Sequence, residues 1–205
     1  MNGEVSRLRD NRPWAISGGE RVPTGQLIST GKDGYAKFYV TGGSSFELYA
    51  NSKVIFRENP ANAGDLLDLV SGRVRIHLHP GIGFQQYRVY TPVATISAHN
   101  PATIALAIDE DDTLRVDVIE GEVRVQHALL PSNEPVSVKA IDAILVQRNQ
   151  PISRKVDRGS LYRYSEKVWS AITFGHGSSH GTGPIEGGRL LSASQAVLLP
   201  EFCSP

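Results

Sequence analysis

The sequence lacks several features that mark particular classes of protein. It has one cysteine in 205 residues, Cys203, so no disulfide within the chain can stabilise it or report its compartment. Lysine plus arginine (21) balance aspartate plus glutamate (21), so no net charge attracts nucleic acid or an anionic membrane. No apolar run approaches the roughly 18 residues that span a bilayer. We therefore expect neither nucleic-acid binding nor a transmembrane segment in this chain.

The N-terminus also lacks an export signal. Residues from Met1 to Asp10 alternate in polarity and contain no apolar stretch of the 7 to 15 residues that a secretory signal needs. We therefore expect either that the protein stays inside the cell or that Met1 is not the native start.

What is present from Val5 to about Val156 is a series of short runs with alternating polarity. They are rich in valine, isoleucine, tyrosine and threonine, and glycine, proline, asparagine and aspartate separate them. No long amphipathic helix interrupts them. The pattern predicts an all-β domain, either a β-solenoid-like roll or a β-sandwich. The clearest predicted strands are Gln26 to Thr30, Tyr35 to Val40, Phe46 to Tyr49, Lys53 to Arg57, Arg73 to His79, Tyr87 to Tyr90, Thr103 to Ile108, Leu114 to Ile119, Glu122 to His127 and Ile141 to Gln147.

A weak internal repeat favours the solenoid-like alternative. The segment that starts Ser71-Gly72-Arg73-Val74 resembles the segment that starts Glu120-Gly121-Glu122-Val123, and Asn2-Gly3-Glu4-Val5 begins a third copy. Each copy is a glycine followed by a spacer and an alternating strand.

The composition changes after about Gly159. A mixed aromatic and apolar segment over 159–173 is expected to pack on the β domain of residues 3–158. Residues 174–205 begin with a run rich in glycine, serine and histidine that has too few apolar side chains to offset the entropy of ordering. We predict a flexible tail over 174–205.

Several motifs occur in an order that resembles the FecR domain of bacterial extracytoplasmic sensor proteins. The resemblance spans roughly residues 3 to 150. The motifs are Gly3, Val5 and Trp14, then Gly19 to Gly31, Gly34 to Phe38, Gly43 to Leu48, Asn51 to Val54, Leu69 to Val74, Tyr90 to Ile96 and Thr113 to Val125. One segment departs from the family pattern: Ala98-His99-Asn100-Pro101-Ala102-Thr103 stands where members usually have valine-arginine-glycine-threonine. The resemblance implies an all-β domain in the periplasm or outside the cell, often in signal relay to a sigma factor.

The histidines are the strongest candidates for a chemical site, because they could bind a metal ion. His77 and His79 are two residues apart on a predicted strand, so both imidazoles would lie on one face, where His99 or His127 could complete a metal site. Nothing in the spacing requires that third ligand, and a partly exposed strand face is the alternative. His176, His180 and Cys203 could chelate metal only adventitiously. We predict no metal and no cofactor.

Other motifs also have a structural alternative. There is no glycine-x-serine-x-glycine elbow, and Gly81-Ile82-Gly83 lacks the rest of a dinucleotide loop. The acidic turn over 109–112 lacks the spacing of a calcium loop. We predict no catalytic residues. Five arginines lie on predicted strands: Arg73, Arg75, Arg88, Arg115 and Arg124. They would form a basic stripe if the strands align. The alternative is a solvated face whose charge is neutralised by Asp117, Glu120 and Glu122. The aromatics are expected to divide between core and surface by strand parity; they are Tyr35, Phe38, Tyr39, Phe46, Tyr49 and Phe56.

From these observations we expect a non-catalytic binding or sensing module of the cell envelope with a protein partner. A structural or carbohydrate-contacting envelope protein is the first alternative, and a small β-barrel metalloenzyme built on His77 and His79 is the second. The binding residues, the signal, the partner and the oligomeric state are not predicted.

Overall fold

A computed structural model describes residues 1–40, 43–57, 64–79 and 86–152. Within these ranges the chain forms strands and no helix, so no helix there is long and apolar enough to cross a membrane. The strands are β1 (Val5–Arg9), β2 (Arg12–Ala15), β3 (Leu27–Thr30), β4 (Ala36–Tyr39), β5 (Ser45–Leu48), β6 (Lys53–Phe56), β7 (Asp65–Leu78), β8 (Tyr87–Tyr90), β9 (Ala94–Ala98), β10 (Ala102–Ile108), β11 (Leu114–Glu120), β12 (Glu122–His127), β13 (Val136–Lys139) and β14 (Ala143–Val146).

The strands form two sheets that share β7. Sheet I has the order β13-β12-β9-β8-β7-β6-β3-β1-β2, and sheet II has the order β4-β5-β7-β10-β11-β14. The first half of β7 pairs with β6 and β8 in sheet I, and the second half pairs with β5 and β10 in sheet II. Every pairing between these strands is antiparallel except β7–β8. The all-β prediction is therefore confirmed, and this arrangement is that of an open sandwich rather than of stacked parallel coils.

The inner faces of the two sheets form one hydrophobic core. Burial alternates along most strands, as expected when one face of a sheet is covered. Phe56 of sheet I contacts Phe38 and Phe46 of sheet II, with ring centroids 5.1 and 5.6 Å apart. These aromatic pairs fix the distance between the sheets at one end of the core.

The internal repeat marks three of the points where the chain passes from one sheet to the other. Gly72 lies at this point within β7, Gly121 lies between β11 and β12, and Gly3 lies between a bridge to sheet II and strand β1 of sheet I. All three have positive φ, between +62° and +86°. A Cβ on Gly121 would lie 2.4 Å from the Pro101 oxygen, and the other two positions are equally crowded by backbone. Only glycine combines this backbone conformation with this close approach.

A turn between two other strands crosses beside each of these glycines. The β5–β6 turn lies beside Gly72, where the buried Ser52 hydroxyl bonds both the N–H and the carbonyl of Arg73 at 2.8 and 2.9 Å. The β9–β10 turn, which contains Pro101, lies beside Gly121. Strands that switch sheets through such bends form the corners of a sandwich. The atypical segment around Pro101 therefore forms one of the corners.

Most of the predicted strands are present within one or two residues of their expected bounds. The largest difference is β7, which begins at Asp65 rather than Arg73, because Gly72 bends the strand without ending it. The acidic turn over 109–112 joins β10 to β11, as predicted for a solvated turn. The predicted packing segment over 159–173 and the predicted tail over 174–205 lie outside the described residues.

Candidate functional site: the outer face of sheet II

The outer face of sheet II carries a dense set of polar and aromatic side chains, which we call the polar face. Strand register arranges them in rows across β4, β5, β7, β10 and β11. The middle row is Lys37, Glu47, Arg75, Ala105 and Asp117; the row on one side is Tyr39, Ser45, His77, Thr103 and Glu120, and the row on the other side includes Tyr49, Arg73, Ala107 and Arg115. The face therefore brings together residues that are far apart in the sequence.

One end of the polar face is a cluster of tyrosines around Glu47. The Tyr49 hydroxyl donates to one carboxylate oxygen of Glu47 at 3.1 Å, and the Lys37 ammonium contacts the other at 3.2 Å. The Tyr35 ring lies 5.8 Å from the Tyr49 ring. Burial, together with the Glu47 charge, raises the pKa of both tyrosines. They are therefore neutral hydrogen-bond donors near neutral pH and do not act as bases.

A hydrogen-bonded chain crosses the next part of the face. The Thr103 hydroxyl donates to a Glu120 carboxylate oxygen at 3.1 Å and contacts Nδ1 of His77 at 3.0 Å. Since the hydroxyl has one proton and the carboxylate only accepts, Nδ1 of His77 is the donor. Thr103 is only 4% exposed, so its hydroxyl is not accessible to a substrate. The three side chains hold β7, β10 and β11 together at this point.

The predicted basic stripe is present in part. Arg73, Arg75 and Arg115 lie on the polar face, whereas Arg88 and Arg124 lie on sheet I. Arg115 is buried and donates three hydrogen bonds of 2.8, 2.9 and 3.1 Å to the Asp117 carboxylate. Burial raises the pKa of Asp117, although the pairing with Arg115 acts in the opposite direction. The face therefore carries charges of both signs, as the solvated-face alternative expected.

The histidines do not form a metal site within the described ranges. His77 and His79 share a face as predicted, with ring centroids 6.4 Å apart. No group of three histidine, cysteine or acidic side chains that could hold a metal occurs among the described residues. His127 is buried, accepts two backbone N–H groups at Nδ1 and donates to the Gln147 carbonyl through Nε2, so neither nitrogen is free. Residues His176, His180 and Cys203 lie outside the described ranges.

Two concave regions adjoin these side chains. A cleft of about 360 Å³ lies on the polar face between Lys37, Glu47, Arg75, His77 and Glu120. A larger groove of about 760 Å³ lies beside β4, against the loop that joins β2 to β3. The cleft is polar on all sides, and the groove has apolar walls.

The comparison that identifies this domain is with a protein family. A model of the FecR protein family matches residues 26–124. This chain contains a FecR domain. The matched region begins just before β3 and ends within β12, so it includes every strand that carries the polar face from β4 to β11. No curated protein matches the chain.

Two crystal structures have a similar fold, and both are described as a "putative anti-sigma factor" from Parabacteroides distasonis. One is 18% identical with a TM-score of 0.54 over 68% of this chain and 64% of that chain. The other is 16% identical with a TM-score of 0.54 over 72% and 64%. At these identities the likeness establishes the fold, and the chain spans just under two thirds of the length of those proteins.

Sequence reasoning found part of the polar face. Strand parity correctly divided the aromatics: Phe38, Phe46 and Phe56 face the core, and the tyrosines lie outside. It missed Thr103 and the position of Glu47 beside two tyrosines. The alternation of Tyr35, Lys37 and Tyr39 with buried residues was the available signal, because it shows one polar side on β4.

Proposed function

We propose that this chain is a non-catalytic sensing module of the bacterial cell envelope that relays a signal by binding a protein partner through the polar face. The composition of that face carries the proposal. Tyrosine and arginine are enriched at protein interfaces, where they supply large contact area together with hydrogen bonds. The polar face presents Tyr35, Tyr39 and Tyr49 beside Arg73 and Arg75.

The other observations support binding rather than catalysis. The hydroxyl that contacts His77 belongs to Thr103, which is buried, and burial raises the pKa of Tyr35 and Tyr49. Charges of both signs on the face suit a partner with complementary charges, which gives specificity and a faster encounter. The FecR domain and the similarity to proteins named as anti-sigma factors support a role in signalling with protein partners. The match to the FecR family supports a location in the periplasm or outside the cell as part of this proposal.

A charge reversal on the polar face tests the proposal. Arg73 and Arg124 are both exposed arginines on strands, the first on sheet II and the second on sheet I. We expect Arg73→Glu to reduce crosslinked recovery of a specific envelope protein from source cells at least tenfold, and Arg124→Glu to leave recovery unchanged. Mass spectrometry of the crosslinked product is the measurement. Equal recovery with both variants would contradict a partner on the polar face.

Two further results separate the proposal from its alternatives. Retention on a cell-wall polysaccharide resin, with no crosslinked protein, would favour a carbohydrate-contacting role. Fractionation of source cells with mass mapping of the endogenous polypeptide tests the location: recovery from the periplasm or medium is expected, and recovery of a chain that starts at Met1 from the cytosol would contradict it.

A further inference from the structure

A second candidate site lies along the free edge of β4, which is the last strand of sheet II. The groove of about 760 Å³ beside it is lined by all four consecutive residues 37–40. Side chains of a strand alternate between its two faces, so consecutive residues can line one cavity only if the cavity lies against the edge of the strand. The groove therefore runs alongside the backbone of β4.

The backbone groups of β4 that face the groove follow from its pairing with β5. Val40 donates its N–H to the Ser44 carbonyl, which makes this a hydrogen-bonded pair. In an antiparallel ladder such pairs alternate, so Phe38 also bonds toward β5, whereas Lys37 and Tyr39 direct their N–H and C=O toward the groove. Neither of these two residues has a backbone hydrogen bond on that side within the described ranges.

The chain itself shows that this edge accepts an antiparallel strand. Tyr35 is the preceding residue whose backbone faces the same way, and it exchanges two hydrogen bonds of 2.8 Å with Asn2. The bridge ends there, and the groove continues along the same edge past Lys37 and Tyr39. An incoming strand would extend a pairing that has already begun.

The walls of the groove suit a strand with alternating side chains. Ile16, Val22, Phe38, Phe56 and Leu66 provide an apolar side toward the space between the sheets. On the side opposite this wall, the edge of β4 borders the polar face, which is open to solvent. A segment with apolar residues at every second position would place them against this wall and its polar residues outside.

The charge at the rim favours an acidic segment. Glu20 is paired with Arg7 at 2.8 Å, and Arg57 is paired with Asp68 at 2.8 Å. Arg21 also lines the groove, is exposed, and has no ion pair among the residues that the structure describes. Lys37 and Asp65 line the groove as well, but Lys37 is paired with Glu47, and the buried Asp65 accepts a hydrogen bond from the Tyr90 hydroxyl. Among the described charged residues of the lining, the side chain available to a ligand is therefore the positive Arg21.

We propose that the groove binds an extended, acidic segment of a partner protein with alternating apolar residues, which adds to sheet II as a strand beside β4. Main-chain hydrogen bonds to Lys37 and Tyr39 supply affinity, and the apolar wall and Arg21 supply selectivity. This site borders the polar face and shares Lys37 and Tyr39 with it, but it uses their backbone groups rather than their side chains.

A proline substitution tests the main-chain pairing directly. Tyr39→Pro removes the tyrosine ring and one backbone N–H, which faces the groove and not β5, and proline is tolerated at such positions of edge strands. Tyr39→Val is the matched control, because it also removes the ring but keeps the N–H. The probe is a random dodecapeptide phage library selected on the intact 205-residue protein, followed by fluorescence anisotropy of the enriched peptides.

We expect the enriched peptides to show period-2 apolar residues with acidic residues, to bind Tyr39→Val as they bind the unsubstituted protein, and to bind Tyr39→Pro at least tenfold more weakly. Val22→Asp is the second variant, with the same expected loss, should Tyr39→Pro fail to fold by circular dichroism. No enrichment, or peptides insensitive to both variants, would overturn the proposal. A dimer that Tyr39→Pro abolishes would overturn it in favour of a second copy of this chain. Arg73→Glu is expected to leave peptide binding unchanged, which separates this site from the polar face.

Discussion

The glycines at the corners of the sandwich, Gly3, Gly72 and Gly121, give the sharpest prediction about stability, because the chain provides other glycines as matched controls. Gly121 combines a positive φ of 82° with crowding, since an added Cβ would lie 2.4 Å from the Pro101 oxygen. Gly19 has nearly the same φ, 81°, but nothing lies within 4 Å of an added Cβ. Gly18 has neither constraint. Alanine at the three positions therefore separates the cost of the backbone conformation from the cost of the contact.

The expected free-energy changes follow from these two costs. Alanine restricts the unfolded chain, which alone stabilises by about 0.4 to 1 kcal/mol, so Gly18→Ala should be neutral or slightly stabilising. A left-handed conformation costs an L-residue about 1 to 2 kcal/mol, which leaves Gly19→Ala destabilised by about 0.5 to 1 kcal/mol. Overpacking adds about 1 to 3 kcal/mol, and the obstacle here is backbone that cannot rotate away. We therefore expect Gly121→Ala to lose about 3 kcal/mol.

Urea denaturation and thermal unfolding of the intact chain measure these differences. A loss of about 3 kcal/mol corresponds to a fall in Tm of roughly 6 to 12 °C for a domain of this size. Gly19→Ala should move Tm by only about 2 to 3 °C. If Gly121→Ala cost no more than Gly19→Ala, the close approach at the corner would contribute nothing, and the explanation of the internal repeat would be wrong.

Two other predictions concern buried polar groups. His127→Ala should lower the free energy of unfolding by about 3 kcal/mol in urea denaturation, because it removes a buried ring and the hydrogen bond to Gln147. His79 is exposed, so His79→Ala should change that free energy by less than about 0.5 kcal/mol. Similar values for both variants would show that the buried ring and hydrogen bonds of His127 do not stabilise the fold. For Asp117 the pKa is raised by burial despite Arg115, so its contribution to stability is present below the ordinary carboxyl pKa and is lost as pH rises through the folded-state pKa. The stability of the unsubstituted protein relative to Asp117→Asn should therefore fall over that pH window, and a relative stability that rises with pH would show that the pairing with Arg115 outweighs burial.

The strands could be predicted from the sequence to the extent that each had its own alternating pattern. β8 and β12 have the predicted bounds, because turn residues limit them on both sides. β2, β9 and β13 were missed: Arg12–Ala15 contains a proline, and Ala94–Ala98 and Val136–Lys139 are short and carry small or polar residues. A glycine inside an alternating run has the same appearance whether it ends a strand or bends it, so the first half of β7 was missed as well.

The polar face could be predicted only one strand at a time. Parity indicates which side chains point outward on β4 or β7, but it does not show which residue of β10 lies beside His77. The contact between His77, Thr103 and Glu120 depends on the register of three strands, and a bulge between Thr103 and Ile104 shifts that register. No pattern within one strand contains this information.

Strand β7, which both sheets share, also determines how the domain can unfold. Because Asp65–Leu78 provides a pairing partner to two strands in each sheet, neither sheet can lose β7 and remain continuous. Detachment of sheet I alone would require breaking the ladder in the middle of that strand at Gly72. The two sheets should therefore unfold in a single cooperative transition. We therefore expect no stable half-unfolded form, and the amide hydrogens along β7 should be among the slowest to exchange.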